Sequence, residues 1–183
     1  SRRQYTLQIK NLSTGEILPY KIKNTNGQAI WAADNCTIFY VKNNIQTLRS
    51  FKVYRHILGA DPKDDVLIFH EKDDTFDVFV YREKSRKYLV IGSESTLTSE
   101  YQILNANTPL EPFNVFQPRT RGLEYDIAHY EDYFYILTNK DGATNFKLMR
   151  TSEKATTSEH WKEVIAHRPE VRLNDIEIFK DFL

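Results

Sequence analysis

The feature that most constrains this chain is a recurrence of short apolar runs at a spacing near fifty residues. Ile38-Phe39-Tyr40-Val41, Tyr88-Leu89-Val90-Ile91, Phe134-Tyr135-Ile136-Leu137 and the closing Phe182-Leu183 start at 38, 88, 134 and 182, with steps of 50, 46 and 48 residues. A second series keeps pace: Ser50-Phe51-Lys52-Val53-Tyr54, Tyr101-Gln102-Ile103-Leu104 and Asn145-Phe146-Lys147-Leu148-Met149. Between them lie further extended runs separated by polar turns, and helical i, i+3, i+4 stripes are scarce. The weak helical candidate at 157–166 reads better as loop plus strand.

Burial explains why such a rhythm constrains the fold. A four-stranded sheet that is apolar on both faces cannot cover itself, whereas sheets stacked face to face around an axis cover one another. Four strands per period of about fifty residues predict β-propeller blades. The expected fold class is all-β, a partial propeller. Three complete blades are expected at 29–71, 76–117 and 123–166. Residues 1–22 are expected to supply two outer strands of a preceding blade, and 172–183 to open a following one. Uncovered blade faces and strand edges are adhesive, so self-association is expected.

Composition agrees with strands and narrows the partners. Phe and Tyr occur 11 times each, while Gly and Pro occur six times each; aromatic side chains favour strands, and low-complexity disorder is unsupported. Lys plus Arg and Asp plus Glu are equal at 25, so no charge excess invites nucleic acid or an anionic membrane. No apolar run has the length of a membrane span, and no signal peptide is visible. The chain opens Ser1-Arg2-Arg3 without Met and reads as a piece of a longer protein. A cytoplasmic or a periplasmic location is compatible with it. One cysteine, Cys36, reads as an idle or packed thiol.

The usual signatures of catalysis do not occur. A G-x-S-x-G elbow, which strains a serine so that its hydroxyl is exposed, is absent. Gly92-Ser93 lacks the second glycine and ends an expected strand, so Ser93 reads as structural. His56, His70, His129, His160 and His167 form no zinc-binding spacing. No phosphate loop, dinucleotide fingerprint or EF-hand occurs, and no cofactor is expected. Asp73-Asp74 falls between two expected strands and reads as turn chemistry. Glu124, Asp126, Asp175 and Glu177 lie on expected innermost strands. They either line a central channel, where they would attract cationic peptides, or pair with local Arg119, Arg121 and Arg172.

Three segments carry a family resemblance. They are Val53-Tyr54-Arg55-His56-x-Leu58-Gly59-x-x-Pro62-x-x-Asp65 with the following Glu71-Lys72-Asp73-Asp74; Tyr133-x-Tyr135-Ile136-Leu137-x-Asn139; and Trp161-x-x-Val164-Ile165-x-His167-Arg168 followed by Asp175-Ile176-Glu177-Ile178-Phe179. Together they resemble the propeller of the oligopeptidase B (protease II) branch of the prolyl oligopeptidase family. The resemblance implies a seven-bladed propeller capping an α/β-hydrolase domain that holds the serine triad. It implies a gate that admits short peptides, in enzymes that cleave after Lys or Arg. No residue here matches a triad motif, so the chain alone is expected to be non-catalytic. Its implied partners are that hydrolase domain and, for the whole enzyme, short basic peptides. A stand-alone scaffold of the WD-repeat kind would show recurring G-H and W-D signatures, which are missing. A prolyl-specific or dipeptidyl member of the same superfamily is a further alternative.

Overall fold

In the computed structural model, which describes residues 3–179, alternating runs become thirteen strands in three antiparallel sheets. The first sheet contains β1 (Tyr5–Leu7), β2 (Ile22–Trp31), β3 (Thr37–Asn43), β4 (Ser50–Ile57) and β5 (Val66–His70). β6 (Asp77–Arg82), β7 (Tyr88–Ser95), β8 (Thr98–Asn105) and β9 (Asn114–Val115) form the second, and β10 (Tyr125–Tyr130), β11 (Tyr133–Thr138), β12 (Lys147–Ser152) and β13 (Lys162–Ile165) the third. Each sheet is a meander in which neighbours in sequence are neighbours in space.

The second strand of each quartet shows why the sheets stack. In β3 the first five residues, Thr37 to Val41, are all buried, and in β7 so are Leu89 to Ser93. A strand presents successive side chains to opposite faces, so continuous burial means that both faces are covered. Phe39 and Val41 of the first sheet meet Val78, Val80, Leu89 and Ile91 of the second in one core. Val90, Tyr101 and Ile103, from the other face of that second sheet, meet Phe134, Ile136, Met149 and Trp161 of the third. The middle sheet is thus shared between two cores, and the architecture is a partial propeller.

Hairpin geometry repeats with the blades. Asn35, Arg86 and Glu131 each adopt the left-handed conformation, with φ of 56°, 63° and 54°, in the turn between first and second strands. The 157–166 segment is a 3-10 turn at Ser158–His160 followed by β13, with no α-helix.

The N-terminal hairpin is not separate from the first quartet. Its pairing (Leu7 with Ile22, Lys10 with Ile17) passes directly into that sheet through the long β2. The change of role occurs at Gly27, whose φ of 94° turns the chain where an added Cβ would lie 3.1 Å from the Tyr5 ring. Residues 173–179, expected within 172–183 to open a following blade, lie outside the three sheets. Phe182-Leu183 lies outside the described residues.

Candidate functional site

Four carboxylates were singled out by position, and the fold separates them into two places. β10 begins at Tyr125 and is the first strand of its quartet, which sets Glu124 and Asp126 beside the junction with the second sheet. Glu124 accepts from Asn139 Nδ2 at 3.1 Å, and its backbone N–H donates to Asn139 Oδ1 at 2.9 Å. Asp126 accepts from the Tyr101 hydroxyl at 2.8 Å. That hydroxyl also contacts Glu94, at the end of β7. Glu94, Glu124 and Asp126 therefore form one acidic group across two blades. Burial pushes the Glu94 carboxyl above its ordinary value, and the charges of Asp126 and Glu124 add to this against the Tyr101 hydrogen bond.

Asp175 and Glu177 lie elsewhere. Asp175 caps the N–H of Ile176 at 2.7 Å. Glu177 pairs with Lys84, which also sits 3.8 Å from the centroid of the Phe179 ring. Lys84 follows β6, at the opposite end of that strand from Asp77, the residue in register with Glu94.

The arginines considered as local partners are engaged differently. Arg119 pairs with Glu71 and lies 3.5 Å from Glu100, and its guanidinium stacks 3.8 Å from the centroid of Phe76. Arg172 lies over the Phe146 ring. Among the described residues, no cation forms an ion pair with Glu94, Glu124 or Asp126. The group is an uncompensated negative patch, with Asp126 exposed.

The other candidates form buried networks. Ser93 donates to Glu71 at 2.6 Å, and Glu71 also accepts from the Asp73 N–H at 2.9 Å and from Arg119. Burial works against the Glu71 charge, but these bonds outweigh it and hold the carboxyl below its ordinary value. His56 is wholly buried between Asp65 (2.7 Å) and the Tyr20 hydroxyl (3.1 Å), and Tyr40 donates to the same Asp65 at 2.8 Å. His129 contacts Ser85 at 2.8 Å and Glu153 at 3.3 Å. Cys36 is exposed. Asp73 caps Thr75 as a turn aspartate, accepting from its N–H at 2.9 Å and its hydroxyl at 2.7 Å.

Sequence reasoning missed Glu94 and Tyr101. A signal existed: in β7, Glu94 shares its phase with Val90, which lies in the core between the second and third sheets. A carboxylate on an apolar phase requires a partner.

The prolyl oligopeptidase N-terminal β-propeller family matches residues 1–183, the whole chain. The chain belongs to this family. Within it, dipeptidyl aminopeptidase BI of Pseudoxanthomonas mexicana is 40% identical over 181 residues, covering 99% of this chain and 25% of that protein. Protease 2 of Moraxella lacunata is 36% identical over 182 residues, covering 98% and 26%. The structure of oligopeptidase B from Leishmania major superposes with a TM-score of 0.85 at 30% identity, over 91% of this chain and 23% of that one. The chain thus corresponds to the N-terminal propeller of prolyl oligopeptidase-family serine peptidases and spans about a quarter of the curated relatives' length. The oligopeptidase B resemblance read from the three segments agrees with these matches.

Proposed function

We propose that this propeller gates a serine oligopeptidase, standing over an α/β-hydrolase domain and admitting short peptides whose cleavage follows Lys or Arg. The observation that carries the reading is the pair of carboxylates Glu124 and Asp126 at the junction with Glu94, which has no paired cation among the described residues. A cationic peptide supplies the missing countercharge, and a negative channel wall raises its local concentration. Asp175 and Glu177 do not join this patch: Asp175 caps Ile176, and Glu177 pairs with Lys84. Catalysis belongs to the hydrolase domain, so the propeller chain by itself turns over no arginyl amide. The enzyme works in the cytoplasm or periplasm.

The test uses the whole peptidase. Glu124→Gln with Asp126→Asn is expected to raise KM severalfold for arginyl peptides at low ionic strength, with kcat unchanged and little effect on uncharged peptides. High salt should shrink the difference. An equal loss on both peptide classes would overturn the electrostatic role.

The 40% identity to a dipeptidyl aminopeptidase favours a second reading, release of dipeptides from a free N-terminus. Mass analysis of products from an N-terminally blocked basic peptide separates the two. Internal cuts after Lys or Arg support the first reading, and resistance of the blocked peptide supports the second.

A further inference from the structure

Tyr101 raises a question of proton count. Its hydroxyl oxygen lies within hydrogen-bonding reach of both Glu94 Oε1 and Asp126 Oδ1. A phenol carries one proton and donates to one acceptor. If both acids were ionised, the second contact would set oxygen lone pairs against each other. The phenol cannot relieve this by ionising, because burial and the charges of Asp126 and Glu94 drive its ionisation far above the ordinary range. One of the acids must therefore bring a proton. Asp126 is exposed, whereas Glu94 is half-buried, and charge costs more where water is excluded.

We propose that Glu94 is protonated at neutral pH and donates to Tyr101, which donates to Asp126, so that a proton relay ties the second blade to the third and loosens when Glu94 ionises.

The surroundings favour the proton. Facing Glu94 are Asp77 and Tyr81 from β6, Tyr101 from β8, and Glu124, Tyr125 and Asp126 from the start of the third sheet. None is a cation. Asp77 accepts from the Ser50 N–H at 3.2 Å, and Glu124 accepts from Asn139. The upward displacement of the Glu94 carboxyl is the electrostatic counterpart of this arrangement. Glu94 in its folded environment then binds a proton that the unfolded chain has released. Its contribution to stability is complete at low pH and is lost as pH rises through its folded value.

The experiment is infrared spectroscopy of the 183-residue chain at neutral pH, in a Glu83→Gln background that silences the other carboxyl raised by burial. A protonated-carboxyl C=O band is expected, and it should vanish in Glu83→Gln/Glu94→Gln. Tyr101→Phe should keep the band but shift it to the frequency of a free acid, since it removes the acceptor. Asp126→Asn should lower the pH at which the band titrates. Unfolding in urea adds an independent readout: the unfolding constant should rise up to about tenfold per pH unit in the titration window, and Glu94→Gln should abolish that slope. Absence of the band at neutral pH, or its survival in the double variant, overturns the proposal. An unshifted band in Tyr101→Phe overturns the relay.

Discussion

Glu83 shows how far one buried side chain can bias this molecule. It is 5% exposed, and one of its carboxyl oxygens, Oε1, has no hydrogen-bond partner. Burial pushes its carboxyl up to about 7, against hydrogen bonds from the His129 N–H, the Tyr81 hydroxyl and the Lys84 N–H. The folded value lies above the ordinary 4.5 of the unfolded chain. Between these values the native state holds a proton that the unfolded state has lost, so stability falls as pH rises through the window. Glu83→Gln imitates the protonated form. The expected outcome is little change near about pH 5 and stabilisation on the order of 2–3 kcal/mol near about pH 8, measured by urea unfolding at both values. Equal stability of the two proteins at the higher pH would remove the argument. Neither Glu83 nor Glu94 could be read from sequence as a proton-holding group. Their environment comes from β10 of the next blade, more than twenty residues away in the chain.

At the scale of elements, the pairing of β6 with β7 depends on an absence. Gly92 sits opposite Phe79 in register, and the Phe79 ring occupies the space that a side chain would fill. An added Cβ would lie 2.2 Å from Phe79 Cζ. Gly92→Ala is therefore expected to cost about 1–3 kcal/mol through overpacking. Phe79→Leu in the same chain should recover part of that loss, giving a non-additive double-mutant cycle by thermal or urea unfolding. Additive losses would show that the ring is not the obstacle. The glycine was visible in the sequence beside Ser93, but its purpose was not, because the ring that requires it belongs to another strand. The strands themselves were legible, since β3, β7 and β11 coincide with runs that the period picked out. The run 173–179, read for the same reason as opening a following blade, lies outside the three sheets.

For the whole molecule, three stacked sheets leave apolar residues uncovered on outer strands. Val66 and Leu67 on β5 are 48% and 45% exposed, and Val164 and Ile165 on β13 are 41% and 38% exposed. Unpaired edges and open faces of this kind associate. Sedimentation of the 183-residue chain should reveal concentration-dependent dimers or larger species, reduced by Val66→Lys with Val164→Lys. A monomer at high concentration would refute this. The period near fifty, the alternation and the continuous apolar second strands determined by themselves that the chain is all-β and stacked in blades, because each signal is local and burial leaves few other solutions. Which carboxylates meet was decided only by the tertiary structure. Glu124, Asp126, Asp175 and Glu177 look equivalent along the chain, yet two join Glu94 across a blade junction while Glu177 is drawn to Lys84. Electrostatic environment is set by distance in space, and stacking brings together residues whose separation in sequence carries no mark of it.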